Sequence, residues 1–117
     1  MTYDANFDQA RLNQLAEQYL RNNDVVGRVL FFSESEDNRF DYGTYQLSDS
    51  GYEAIKESGL KIHLLELIDT LLVYRAQHKQ PNASQGAIHL NREKLSIEWL
   101  PKETAESMRN ENYPPDS

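Results

Sequence analysis

Apolar residues near the start of the chain follow a helical spacing. Within residues 7–21 one stripe recurs at three- and four-residue intervals, and its members are Leu12, Leu15, Ala16, Tyr19 and Leu20. Asn6 precedes the stripe and Gln9 follows three residues later, which is a variant of the capping box. The pattern predicts a first helix over residues 7–21, capped by Asn6.

The next segments are rich in β-branched and aromatic residues, and they predict a hairpin. Residues 25–33 are largely apolar at successive positions, as in a strand that is covered on both faces. Residues 34–38 form a polar turn, and residues 39–47 resume strand character with Phe40, Tyr42 and Tyr45. We therefore expect two antiparallel strands joined by a longer, acidic loop.

The strongest helical pattern covers residues 60–79, and Pro81 ends it. We expect four residues of this helix to be buried against a sheet, namely Leu64, Leu67, Ile68 and Leu71. Before it, residues 48–51 form a turn or cap cluster, and residues 52–58 fit either a short helix or an irregular link.

A second hairpin is predicted from residues 86–90 and 95–100, around a turn at 91–94. In its second strand apolar and polar residues alternate, which indicates one buried and one exposed face. The apolar positions are Leu95, Ile97 and Trp99, and the polar positions are Ser96 and Glu98.

The predicted elements follow the order α-β-β-α-β-β, which is typical of an α+β fold. Two hairpins can form one antiparallel four-stranded sheet, and the two main helices can cover one face of it as a two-layer sandwich. Residues 1–108 are expected to form a single domain. Residues 102–117 are polar, with helical character near their start, and residues 109–117 are expected to be a flexible tail.

Charge narrows the choice of partner. The 117 residues include 19 acidic and 12 basic side chains, for a net charge of −7, and the basic residues are scattered singly. Such a chain lacks the basic face that binds nucleic acid, and it suits a basic protein partner. The alternative is that the acidity only keeps the protein soluble. With no 18-residue apolar window and no leader pattern, we expect a cytoplasmic protein without a membrane partner.

Motifs for catalysis are missing from the sequence. The three histidines, His63, His78 and His89, lack the close spacing of metal ligands, and there is no cysteine. Neither a nucleophile elbow nor a glycine-rich phosphate loop is present. We therefore expect no catalytic, cofactor-binding or metal-binding residue, although a small hydrolase with paired carboxylates remains an alternative.

Acidic residues and tyrosines are interleaved around the first predicted hairpin. Together they suit a cationic protein surface, because aromatic side chains supply contact area and the carboxylates supply charge. The alternative is that the tyrosines belong to the core and the acids solvate a loop. With Glu98 of the second hairpin added, the candidate partner-binding residues are Glu34, Glu36, Asp37, Asp41, Tyr42, Tyr45, Asp49 and Glu98.

Several segments occur in an order that is similar to a known family. They are Val29-Leu30-Phe31-Phe32, Phe40-Asp41-Tyr42, Leu65-Glu66-Leu67-Ile68-Asp69, residues 86–90, and Lys94-Leu95-Ser96-Ile97-Glu98-Trp99. The pattern resembles the YezG-like immunity proteins of bacterial polymorphic toxin and contact-dependent inhibition systems. The chain departs from that family in having Gln85-Gly86 where a tryptophan commonly opens the third strand, and in a shorter segment between Leu47 and Leu60.

This resemblance implies an immunity protein, or antitoxin, that neutralises a toxin domain. The toxins of such systems are often nucleases, and the resemblance implies tight one-to-one binding of an otherwise monomeric inhibitor. The alternative function is that of a non-catalytic adaptor or regulatory module that binds a protein other than a toxin.

Overall fold

The computed structural model describes residues 4, 6–21, 24–33 and 40–110. These residues form four strands and four helices: α1 (Phe7–Tyr19), β1 (Val26–Phe32), β2 (Tyr42–Gln46), α2 (Asp49–Ser58), α3 (Leu60–Gln77), β3 (Gln85–Asn91), β4 (Lys94–Trp99) and α4 (Lys102–Arg109). The α+β class is confirmed. The observed order is α-β-β-α-α-β-β-α, because α2 and α4 add to the two predicted main helices.

Both predicted hairpins are present, and they share one antiparallel sheet with the strand order β2-β1-β3-β4. The two hairpins join through β1 and β3, where Val29 lies opposite Ile88. The second hairpin closes tightly, since Asn91 pairs with Lys94 and only two residues connect the strands. The predicted four-stranded antiparallel sheet is therefore confirmed, with β2 and β4 at its edges.

The inner face of the sheet carries the main core. Because side chains alternate along a strand, Val29 and Phe31 of β1 point to one face, where α1 and α3 cover them. The core also contains Leu12 of α1, Ile68 of α3 and Ile88 of β3, each fully buried.

The outer face of the sheet is partly covered by α4. Leu30 and Phe32 of β1 point to this face and pack in a second apolar cluster with Ala87, Ala105 and Met108. The helix thus forms a partial layer on the side opposite to α1 and α3, which extends the predicted two-layer arrangement. It also explains why β1 is apolar at successive positions: both of its faces are covered.

Hydrogen bonds hold the end of α4 on the sheet. The buried Arg28 donates through Nε to Gln46 Oε1, and Gln46 Nε2 donates to the carbonyl oxygen of Met108 at 2.7 Å. Arg109 Nη1 donates to the Tyr42 hydroxyl at 3.0 Å. Arg109 is therefore part of α4, whereas the sequence analysis assigned it to the tail; residues 111–117 of that tail lie outside the described residues.

The start of α1 is not capped as predicted, and the segment that the sequence left open between a helix and a link belongs to helix α2. Asn6 makes no side-chain cap bond, so the predicted capping box is wrong, and Gln9 Nε2 instead donates to the carbonyl oxygen of Leu95 at 2.8 Å. Residues 52–58 are helical. Ser48 Oγ caps their helix by accepting from the Gly51 amide at 3.0 Å, and Gly59 ends it at a φ of 89°, which favours glycine.

Helix α3 is the main core helix, as predicted, but the prediction that Leu67 is buried is wrong. Leu64, Ile68 and Leu71 are fully buried, but Leu67 is only partly buried at the margin of the core. Leu67 lies to one side of the buried stripe around the helix axis, because residues 60, 64, 68, 71 and 72 form the face that meets the core. None of the helices in the described part of the chain has the length and apolarity that crossing a membrane requires.

Shortening Leu64 tests this assignment. Leu64→Ala should lower the free energy of unfolding by about 2–5 kcal/mol, because it leaves a cavity in a site that is fully buried. Leu67→Ala removes the same atoms from the margin of the core and should cost clearly less. Urea denaturation of both variants makes the comparison, and equal losses would contradict the burial assigned to the two positions.

Candidate functional site

The structure places the predicted partner-binding residues on more than one surface. Glu34, Glu36 and Asp37 lie outside the described residues. Asp41 is exposed just before β2, where its amide donates to the carbonyl oxygen of Phe32 at 3.0 Å. The remaining four residues are divided between the two faces of the sheet, since positions 42 and 45 of one strand have opposite directions.

Tyr42 and Glu98 belong to the outer face. The Tyr42 ring stacks on Phe32 with ring centroids 4.9 Å apart and accepts the hydrogen bond from Arg109, so it serves the attachment of α4. Glu98 is exposed on β4 with its carboxylate 3.1 Å from His89 Nε2. The structure therefore does not bring Tyr42 into the same surface as Tyr45.

Tyr45 and Asp49 line a groove between strand β2 and helix α2. The Tyr45 ring meets the Tyr52 ring edge-on, with centroids 5.3 Å apart and an interplanar angle of 77°. Asp49 and Glu53 add two exposed carboxylates on the first turns of α2. This concavity of about 530 Å³, called the Tyr45–Tyr52 groove below, is lined by Gly43, Thr44, Tyr45, Leu47, Asp49, Tyr52 and Glu53.

One cation lies beside the two tyrosines. Lys61 Nζ donates to the Tyr52 hydroxyl at 2.7 Å and lies 5.0 Å and 5.5 Å from the Tyr52 and Tyr45 ring centroids. The hydrogen bond to Tyr52 raises the pKa of Lys61, and burial raises the pKa of Tyr45. The groove therefore combines two tyrosine rings and the ammonium group of Lys61 with the carboxylates of Asp49 and Glu53.

Sequence reasoning missed Tyr52 and Glu53, because it left residues 52–58 open between a helix and a link. The information was local: Ser48 and Gly51 have the spacing of a helix cap, and Gly59 follows as a stop. Once α2 is accepted as a helix, Asp49 and Glu53 stand four positions apart and share one side of it.

A second concavity, of about 520 Å³, lies along α3 and next to the start of α1. The Phe7 and Tyr74 rings stack with their centroids 3.7 Å apart, and Asp69 Oδ1 accepts a hydrogen bond from the Phe40 amide at 2.7 Å. Glu66 is the other carboxylate of this concavity. Across residues 4, 6–21, 24–33 and 40–110, no group of three or more histidine and acidic side chains is placed to hold a metal ion.

One carboxylate is buried in the fold. Asp8 is only 5% exposed; its Oδ2 accepts a hydrogen bond from Trp99 Nε1 at 2.8 Å, and its Oδ1 has no hydrogen-bond partner among the described residues. Burial raises the pKa of Asp8, while the bond from Trp99 and the charge of Arg75 act in the opposite direction. Asp8 lines neither of these two concavities, and it lies where α1 packs on β4.

No protein-family model, curated protein or solved structure matches this chain. The function is therefore inferred from the surface chemistry and geometry of the protein.

Replacing Asp8 with asparagine should change how stability depends on pH. Because the pKa of Asp8 is raised on folding, the folded protein holds this proton more tightly. The contribution of Asp8 to stability is therefore full below about pH 3.8 and is lost as pH rises through the window between that value and the raised pKa. Asp8→Asn keeps an acceptor for Trp99 and cannot ionise. Its stability relative to the wild type should therefore increase as pH rises through that window, measured by urea denaturation at a series of pH values.

The matched variant is Asp8→Ala, which loses the acceptor and leaves Trp99 Nε1 without its partner. It should be less stable than Asp8→Asn at every pH. A constant difference between Asp8→Asn and wild type on both sides of pH 3.8 would contradict the raised pKa.

Proposed function

We propose that this protein is an immunity protein that neutralises a toxin domain by binding it one to one in the cytoplasm. The observation that carries the proposal is the Tyr45–Tyr52 groove, in which two tyrosine rings lie beside the exposed carboxylates of Asp49 and Glu53. Aromatic side chains in a concave, acidic setting are a common way to bind a basic protein surface.

The charge of the whole chain supports a cationic partner. A net charge of −7 on 117 residues creates a field that attracts a basic domain and speeds its approach. Nuclease domains need a basic surface to hold phosphates, so an acidic inhibitor can compete for that surface. The resemblance in pattern to YezG-like immunity proteins favours the same partner class, and the toxin is therefore proposed to be a nuclease.

Local chemistry supports the groove rather than the outer face as the contact surface. Tyr42 is engaged with Phe32 and Arg109, and Glu98 lies beside His89. Tyr45 and Tyr52 also contact each other and Lys61, but they line a concavity large enough to accept side chains from another molecule. Their contact area comes with little loss of conformational freedom, because tyrosine has few rotatable bonds.

Co-expression tests the function directly. The C-terminal domain encoded by the gene adjacent to this one should arrest growth of a bacterial host when it is expressed alone. Co-expression of this protein should restore growth, and the two purified proteins should form a one-to-one complex by size-exclusion chromatography with light scattering. A non-toxic neighbour that nevertheless binds one to one would support an adaptor instead of an immunity protein.

Reversing two charges in the groove tests the surface. Asp49→Lys/Glu53→Lys should slow association with the partner domain by roughly tenfold at low salt and weaken its salt dependence, because the steering field is reduced. Thermal stability should fall modestly, since both side chains are exposed but Asp49 lies in the first turn of α2, where a positive charge opposes the helix dipole. Stopped-flow or surface plasmon resonance at several salt concentrations measures the association rate.

The matched control is Glu17→Lys/Glu103→Lys, which changes the net charge equally at two exposed positions of α1 and α4. It should slow association much less than the groove variant. Equal slowing by both variants would assign the effect to net charge alone. If neither variant slows association, the contact moves to the outer face of the second hairpin, at His89, Arg92, Ser96 and Glu98.

A further inference from the structure

The hydrogen-bond register decides which backbone groups of β2 face away from the sheet. In the pairing of β1 with β3, the Ser33 amide donates to the carbonyl oxygen of Ser84 at 2.7 Å, and the Arg92 amide donates to that of Val25 at 2.9 Å. Both pairs fit the observed register, so odd-numbered residues of β1 bond to β3. Since the backbone N–H and C=O groups of successive residues point to opposite sides of a strand, even-numbered residues of β1 bond to β2.

The same alternation then applies to β2. Arg28, Leu30 and Phe32 of β1 lie opposite Gln46, Thr44 and Tyr42, which use their backbone groups within the sheet. The backbone N–H and C=O groups of Gly43 and Tyr45 therefore point outward, past the edge of the sheet. No strand pairs with β2 on that side in the described part of the chain.

The opposite edge of the sheet, strand β4, has a helix packed along it. By the same register, Leu95, Ile97 and Trp99 of β4 direct their backbone groups outward, and α1 packs along this strand. Gln9 of α1 donates to the outward carbonyl oxygen of Leu95 at 2.8 Å. The β4 edge thus has a helix beside it that bonds to one of its outward carbonyl groups, and among the described residues no helix makes such a bond to the β2 edge.

Strand β2 also lacks two of the features by which proteins protect an edge, a charged residue and a proline within the strand. Its sequence, Tyr-Gly-Thr-Tyr-Gln, contains no charged residue and no proline within the strand. The acidic residues stand at its ends: Asp41 precedes it, and Asp49 and Glu53 line the Tyr45–Tyr52 groove beside it. Lys61 is the cation at the two tyrosines of this groove.

We infer that the partner docks by adding an extended, basic segment of its own chain to the edge of β2. This inference rests on the proposed function and specifies how the partner is held. The outward N–H and C=O groups of Gly43 and Tyr45 pair with the added strand, and its alternate side chains enter the Tyr45–Tyr52 groove. Lysine or arginine at those alternate positions matches the carboxylates of Asp49 and Glu53, while apolar parts of the added side chains contact the tyrosine rings.

Amide hydrogen exchange measured residue by residue by NMR tests this mode of binding. In the free protein, the amides of Gly43 and Tyr45 should exchange faster than those of Thr44 and Gln46, because only the latter pair bonds to β1. Two probes are then added separately: the purified neighbouring domain from the co-expression test, and a synthetic peptide of alternating lysine and valine. Strand addition should slow exchange at both Gly43 and Tyr45, by tenfold or more at saturation.

A pair of variants separates the backbone bond from the tyrosine ring. Tyr45→Ala removes the ring and keeps the outward N–H, whereas Tyr45→Pro removes both and leaves the ladder to β1 intact. Binding of the neighbouring domain should be weaker for Tyr45→Pro than for Tyr45→Ala by roughly five- to tenfold. If Tyr45→Pro fails to fold, the exchange pattern of the wild type still decides.

The outcomes separate this inference from the proposed function. Restored growth without slowed exchange at Gly43 and Tyr45 would retain the immunity function and overturn strand addition. Slowed exchange with the peptide, but a neighbouring domain that is not toxic, would support strand addition and overturn the immunity function. If neither probe slows the two amides, strand addition is wrong.

Discussion

The structure depends on the burial of β1 on both faces and along both edges. Its odd positions, Val29 and Phe31, contact the core beneath α1 and α3, and its even positions, Leu30 and Phe32, contact the cluster beneath α4. Both neighbouring strands, β2 and β3, pair with it along its length. A strand in this position can be removed from water only when every other element takes its place around it, so β1 organises the sheet, both apolar clusters and the order of the strands.

Two buried polar groups accompany this arrangement, and each joins separate elements. Arg28 is placed on the outer face of β1, where it donates to Gln46 Oε1 and, at 3.5 Å, to the carbonyl oxygen of Met108 in the last turn of α4, which suits a cation near a helix C-terminus. Asp8 joins α1 to β4 through the indole of Trp99. These contacts specify where the helices sit, since a displaced helix would leave a buried charge or donor without its partner.

The two edges of the sheet give the molecule its asymmetry. At β4, helix α1 lies alongside and Gln9 bonds to an outward carbonyl group. At β2, the neighbouring element is α2, which leaves a groove containing Tyr45 and Tyr52, and no described strand pairs with the outer side of β2. The proposed binding of another protein chain rests on three features of this edge: contact area, charge and outward main-chain groups.

Periodicity in the sequence by itself determined the strands, both hairpins, the long core helix and the α+β class, because burial on one or both faces of an element is recorded in its apolar spacing. The composition determined the net charge of −7, on which the proposal of a basic partner rests. Only the tertiary structure decided that β1 and β3 join the hairpins, that Gln9 serves Leu95 rather than a cap, and that α4 covers the outer face. It alone separated Tyr42 from Tyr45 and brought Tyr52 to the latter. These outcomes depend on contacts between residues distant in sequence, and no local pattern of spacing contains the information about which surfaces meet.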